Sequence, residues 1–271
     1  MNQGRYFLPL EYPPALRALK PLPRFLNVVG DLTPGTCHVA IVGARAANPD
    51  TIALAKRLAE IVVAAGGVVI SGGADGADAA AHAGAIDAKG RTWAVLGCGA
   101  PNVSPAERPE RFEAILASGG ALIRPFAENV GPNGSCYKGR NRILVALADL
   151  VIIAQAGAKS GTKNAANHAH QLGKEVWVAP GVGDAFSYSW ELIDRGARML
   201  RHESELAERL RRPKLDDQPQ RVYDALIGGP KHPDEIAGET GLSTSAVATA
   251  LLTLALGDVV VEGSAGLFQR K

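Results

Sequence analysis

Cysteine is scarce in this chain. Cys37, Cys98 and Cys136 are the only three in 271 residues, and no two lie two to four positions apart. That spacing excludes a disulfide framework and a cysteine-based metal cluster, and leaves ordinary thiols. No apolar run reaches the length of a membrane span, and Met1-Asn2-Gln3-Gly4-Arg5 lacks the charged-then-apolar order of a signal peptide. The expectation is a soluble, cytoplasmic protein with no membrane partner. Net charge is also small, +2, so its distribution has to be examined. With 46% hydrophobic residues, the chain can bury one large core and build a smaller second domain.

The charge is polarised. Residues 124–163 carry six cations against two acids, a net +4, whereas residues 216–271 carry four cations against eight acids, a net −4. A polyanion is therefore expected to meet the middle of the chain and avoid its end. Within the basic stretch, Lys138-Gly139-Arg140-Asn141-Arg142 stands before the apolar run 143–148. Read as a helix from Lys138, this places three cations where free backbone N–H groups and the helix dipole already favour anions. Guanidinium forks there suit phosphate.

Between Cys37 and Met199, short β-branched runs alternate with alanine-rich segments of helical period. Strands are expected at 39–42, 68–70, 93–96, 121–123, 150–154 and 175–178, and helices at 51–65, 78–89, 109–118, 138–148 and 161–172. Continuous apolar strands are those buried on both faces, so the pattern predicts a doubly wound α/β domain, an extended Rossmann type with a parallel sheet. Three strands run directly into glycine, at Val42-Gly43-Ala44-Arg45, at 70–76 and at Leu96-Gly97-Cys98-Gly99. In such sheets ligands bind beyond the strands' carboxyl ends, where glycine admits a phosphate close to the backbone. No intact G-x-G-x-x-G follows the first strand, which argues against a dinucleotide cofactor.

The expected division is an N-terminal extension on the core at 1–35, a Rossmann-like domain at 36–212, a linker at 213–219 and a winged-helix domain at 220–271. The last shows helices near 220–227 and 233–240, a third opened by Ser243 and ending near Leu256, and a hairpin of 259–261 with 267–269. Its would-be recognition helix, Ser243-Thr244-Ser245-Ala246-Val247-Ala248-Thr249, holds no Lys or Arg. Duplex DNA needs such phosphate anchors, so this domain reads as a protein-contact module.

These motifs resemble the bacterial DNA-processing protein A family, also called Smf. The resemblance rests on Gly43-Ala44-Arg45, on the run from Ser71-Gly72-Gly73 through His82, and on Val95-Leu96-Gly97-Cys98-Gly99. Arg140-Asn141-Arg142-Ile143, Ser160-Gly161-Thr162 and Pro180-Gly181 follow in order, and Tyr12-Pro13 through Gly30 also fits. It implies an extended Rossmann domain that binds single-stranded DNA in a basic pocket, forms a homodimer and helps load the RecA recombinase in natural transformation. Two departures stand out: Asp75 where the family usually has Arg, and Arg124-Pro125-Phe126 where Ser-Glu and an aromatic-Pro pair are common.

The candidate phosphate contacts are Gly43, Arg45, Gly73, Lys138, Arg140, Asn141, Arg142, Ser160, Gly161, Thr162 and Lys163, with Phe126 and Tyr137 as candidates for base stacking. No catalytic residue, metal or cofactor is expected. Asp78 and His82 share a helix face, which suits a structural hydrogen bond between them, and no third group completes a nucleophilic triad. His168 and His170, two apart, do not share a face for a metal. Two other readings share the glycine rim. One is a nucleotide-binding sensor. The other is a nucleoside-monophosphate phosphoribohydrolase-like enzyme, whose P-G-G-x-G-T-x-x-E pattern is met here by 156–165, with Ala165 in place of the active-site Glu.

Overall fold

A computed structural model of the chain describes residues 4–17, 19–99, 109–158, 161–211 and 217–271. The chain divides into two compact units, Met1–Arg211 and Arg212–Lys271.

In the first unit, the described strands are β1 (Arg5–Tyr6), β2 (Asn27–Gly30), β3 (His38–Val42), β4 (Val68–Ser71), β5 (Thr92–Val95), β6 (Ala121–Arg124), β7 (Leu150–Ile153), β8 (Glu175–Val178) and β9 (Arg198–Met199). They form one sheet of order β1-β2-β6-β5-β4-β3-β7-β8-β9. Every pair from β6 to β9 is parallel. The all-parallel expectation is corrected at one edge, where β1 and β2 add antiparallel strands. Those strands come from the segment read as an extension, and both they and the two-residue β9 lack the long apolar runs of the centre.

Alternate residues of β3 show why the central strands read as unbroken apolar runs. Ala40 and Val42 pack on one side of the sheet with α1 (Pro14–Arg17), α5 (Gly134–Leu147), α6 (Thr162–Gln171) and α7 (Ser187–Asp194). Val39 and Ile41 pack on the other with α2 (Pro49–Ala64), α3 (Ala77–Asp87) and α8 (Glu203–Arg211). On that side α4 (Pro109–Ala117) covers the sheet through Phe112 and Ile115. Both faces are buried, as a doubly wound sheet requires. The chain runs outward from β3 to β6 and returns to β7 beside β3. The topological switch point, where ligands bind in such folds, lies between the carboxyl ends of β3 and β7.

The second unit holds α9 (Asp217–Ala225), α10 (Pro233–Thr240), α11 (Thr244–Leu256), β10 (Val260–Glu262) and β11 (Phe268–Arg270) around a core of Val222, Leu226, Ile236, Val247, Leu251 and Leu254. Ser243 Oγ accepts from Ala246 N–H at 3.2 Å and caps α11, and the hairpin pairs Val260 with Arg270. Three helices and a wing make a winged helix. Helix α9 begins at Asp217, inside the stretch read as a linker, and 212–216 lie outside the described residues. Among the described residues no single helix is long and apolar enough to cross a membrane.

Candidate nucleic-acid interface

At the switch point the structure has a cavity of about 540 Å³. Val42, Gly43, Ala44 and Arg45 leave β3 along one wall, and Gln155 and Gly157 leave β7 along another. Helix α5 contributes Gly134, Tyr137, Lys138, Arg140 and Asn141, and Gly161, Thr162 and Ala165 come from the start of α6.

The helix carrying the basic motif starts four residues earlier than the cations suggest. Asn133 Oδ1 accepts from Cys136 N–H at 3.0 Å and caps α5 at Gly134. Lys138, Arg140 and Arg142 are therefore interior residues of the helix, not its N-terminal turn. Residues two apart point to different sides of a helix, so the three cations fan out to separate surroundings. Lys138 is exposed on the cavity wall. Arg142 turns to the N-terminal segment, where its guanidinium donates to Pro21 O at 2.8 Å, and it does not line the cavity.

Arg140 is only 6% exposed. It donates to Val95 O at 2.6 Å and stands 3.7 Å from the Asp78 carboxylate. A Cβ at position 72 would overlap its guanidinium, so Gly72 is what lets Arg140 cross beneath the loop after β4. Burial pushes the Asp78 carboxyl up, against the nearby Arg140 charge and hydrogen bonds from Gly72, Ala74 and Gly43 N–H that favour the ion. Asp78 and Arg140 thus tie the glycine loops after β3 and β4 to α3, α5 and β5. Arg140 is corrected from a phosphate grip to a residue that builds the site.

The expected Asp78–His82 bond is absent. Thr92 Oγ donates to Val69 O at 2.8 Å, so its lone pair accepts from His82 Nδ1–H at 2.7 Å. Burial, and then the charges of Arg111 and Arg140, hold the His82 pKa down to about 3, so the ring is neutral.

Arg45 lies over the Tyr137 ring at 4.8 Å, a cation–π contact that fixes the guanidinium at the cavity mouth. A Cβ on Gly97 would press on the same ring. Tyr137 is therefore a support for Arg45 and not a free stacking face. Phe126 is half-buried, faces the backbone of Gly139 and does not line the cavity. Gly73 also stands behind the wall, against Phe112 and Leu96, and Ala74 takes its place there. Thr162 is buried on the wall, Lys163 follows it outside, and Ser160 lies outside the described residues. Among the described residues no group of three or more metal-ligating side chains occurs.

Two contributors escaped the sequence reading. Gln155, the first polar residue after the β7 run, accepts from Asn48 N–H at 3.2 Å and holds the entry to α2 against the cavity. Arg111 donates to Gly73 O at 2.8 Å and to Asp75 Oδ1 at 2.7 Å, so the Asp75 carboxylate is met by a cation from α4. Only contact geometry reveals that pair, since the partners are far apart in sequence.

Residues 6–211 match the family model described as DNA recombination-mediator protein A, and residues 206–266 match the DprA winged helix domain. The chain belongs to the DNA recombination-mediator protein A family. It is 32% identical over 203 residues to protein Smf of Escherichia coli, covering 73% of this chain and 54% of that one. To a putative DNA processing protein DprA of Mycobacterium tuberculosis it is 34% identical over 221 residues, covering 75% and 57%. It thus spans little more than half the length of these relatives. Among solved structures, DNA processing protein A from Helicobacter pylori, studied for its single-stranded DNA binding mode, superposes with a TM-score of 0.66 and 27% identity, over 76% of this chain and 94% of that one. DNA processing protein A from Streptococcus pneumoniae superposes with a TM-score of 0.67 and 25% identity, over 76% and 74%.

Proposed function

We propose that the switch-point cavity binds the backbone of single-stranded DNA, and that the protein works by holding that strand without chemical change to it. The observation that carries the reading is the pair Arg45 and Lys138. Both are exposed on the wall, they come from separate elements, and no acidic partner of either occurs among the described residues. The N-terminus of α6, with Gly161 and Thr162 on the wall, adds backbone N–H groups and the positive end of a helix dipole. The relationship to the Helicobacter pylori protein supports the same ligand. By the same family argument the strand is handed to the RecA recombinase in the cytoplasm during natural transformation, by a homodimer.

The hydrolase reading finds no support in the cavity. Ala165 lines it where the phosphoribohydrolase pattern has its Glu, and the acid on the wall, Asp78, is committed to Arg140 and backbone N–H groups. The mononucleotide sensor remains the second reading, because about 540 Å³ suits a small ligand. Titration of one labelled single strand against its duplex and a nucleoside monophosphate separates them. The proposal expects the single strand to bind tightest, and a monophosphate that binds as well as the strand overturns it.

A further inference from the structure

With Tyr137 under Arg45 and Phe126 away from the cavity, neither aromatic expected to stack offers a free face there. A third aromatic, Trp190, lies outside the cavity on a segment that reaches its wall through Ala185. Trp93 and Trp177 are 3% and 0% exposed, whereas Trp190 on α7 is 42% exposed. Its indole N–H donates to Gly181 O at 2.8 Å. The polar edge is satisfied within the protein and the ring is pinned, with apolar surface left in solvent. Val182, next to that carbonyl, is 95% exposed.

This segment is bolted to the cavity wall. The N–H groups of Tyr188 and Ser189 both donate to Ala156 O at 3.0 Å, and Ser189 Oγ accepts from Ala156 N–H at 3.1 Å. The residue after Ala156, Gly157, lines the cavity, as does Ala185 from the same segment. Lys163, just outside Thr162, has its Nζ 4.2 Å from the centre of the Tyr188 ring and 3.9 Å from Glu191, the neighbour of Trp190. Glu191 also meets Arg195 at 3.5 Å. The local cations are thus engaged by an acid, and the shelf has little surplus charge for a phosphate. What it offers is an exposed aromatic face on a segment that also lines the cavity through Ala185, and such a face can hold a base of a strand whose backbone the cavity binds.

We infer that the strand bound in the cavity leaves it over residues 181–190 and that Trp190 stacks on one of its bases. The inference rests on the single-stranded DNA reading of the cavity and adds to it the direction of exit and a contact that does not depend on charge.

The test is a titration of the full chain with a labelled oligothymidylate, following anisotropy and tryptophan emission together. Trp93 and Trp177 are buried out of reach of a bound base, and loss of the emission change in Trp190→Phe assigns the signal to Trp190. Emission is expected to change in step with anisotropy, and thymidine monophosphate is expected to leave it unchanged. Trp190→Ala should bind at least about fivefold more weakly, the low end of what one stacked base contributes, with an unaltered salt slope because no phosphate contact is lost. Trp190→Phe also lacks the indole N–H but keeps a ring, and should bind within about twofold of the parent. Anisotropy that rises without an emission change, or a Phe variant as weak as the Ala variant, overturns the inference and leaves the cavity reading standing. No anisotropy rise at all overturns both.

Discussion

Arg140 is where sequence and structure part most sharply, and the reason is burial. A cation in a basic motif invites a phosphate, but a guanidinium 6% exposed, with an acid and a carbonyl in reach, is already engaged. Removing one partner of a buried pair leaves the other uncompensated. Arg140→Ala is therefore expected to lower stability by about 3 kcal/mol, measured by urea unfolding; a loss below about 1 kcal/mol would place Arg140 among the surface cations. His82 gives a pH signature. Its pKa is held at about 3 in the fold against the ordinary 6.5, so below 6.5 the unfolded chain takes up a proton that the folded chain refuses. Stability from this group is present above 6.5 and falls as pH drops towards 3. Between pH 7 and pH 5 the loss should be about 2 kcal/mol, and His82→Asn should lose less over the same interval. Equal losses would contradict the buried neutral ring.

At the scale of elements, the central strands were legible because burial on both faces writes a continuous apolar run, and the five long helices were legible by period. The start of α5 was not. Residues 134–137 carry no apolar stripe, and the cap that decides the boundary is a single side chain, Asn133. Strands β1 and β9 have two residues each and lie at the sheet edges, and β2 holds only Val28 and Val29 between Asn27 and Gly30, too brief an apolar run to read as a strand. The glycine loops were read as a phosphate rim, and the structure gives part of that rim to packing. Gly76 has a φ of +78°, and a Cβ there would strike the carbonyls of Ala44 and Arg45. Gly76→Ala should then destabilise the fold by more than about 1 kcal/mol and weaken DNA binding by moving Arg45. A variant with parental stability and affinity would show that the two loops are independent.

At the scale of the molecule, the polarity seen in the sequence persists in the contacts. Three of the four cations of the winged helix are paired with acids, Lys231 with Glu239 at 2.6 Å, Arg270 with Asp224 at 3.2 Å, and Lys271 with Asp258, and the fourth, Arg221, donates to Thr240 O. The exposed side of α11, with Leu252 and Leu256, carries no charge. Removal of 216–271 should leave single-stranded DNA affinity unchanged or raise it at low salt, where screening is weakest; a large loss would assign DNA binding to the winged helix. The central claim is that Arg45 and Lys138 hold phosphates at the switch point. It is tested most directly by the salt dependence of single-stranded DNA affinity for the parent chain and for Arg45→Ala with Lys138→Ala. Each lost contact should flatten the log–log slope by about 0.7, so the double variant should be shallower by about 1.4. An unchanged slope would contradict the account.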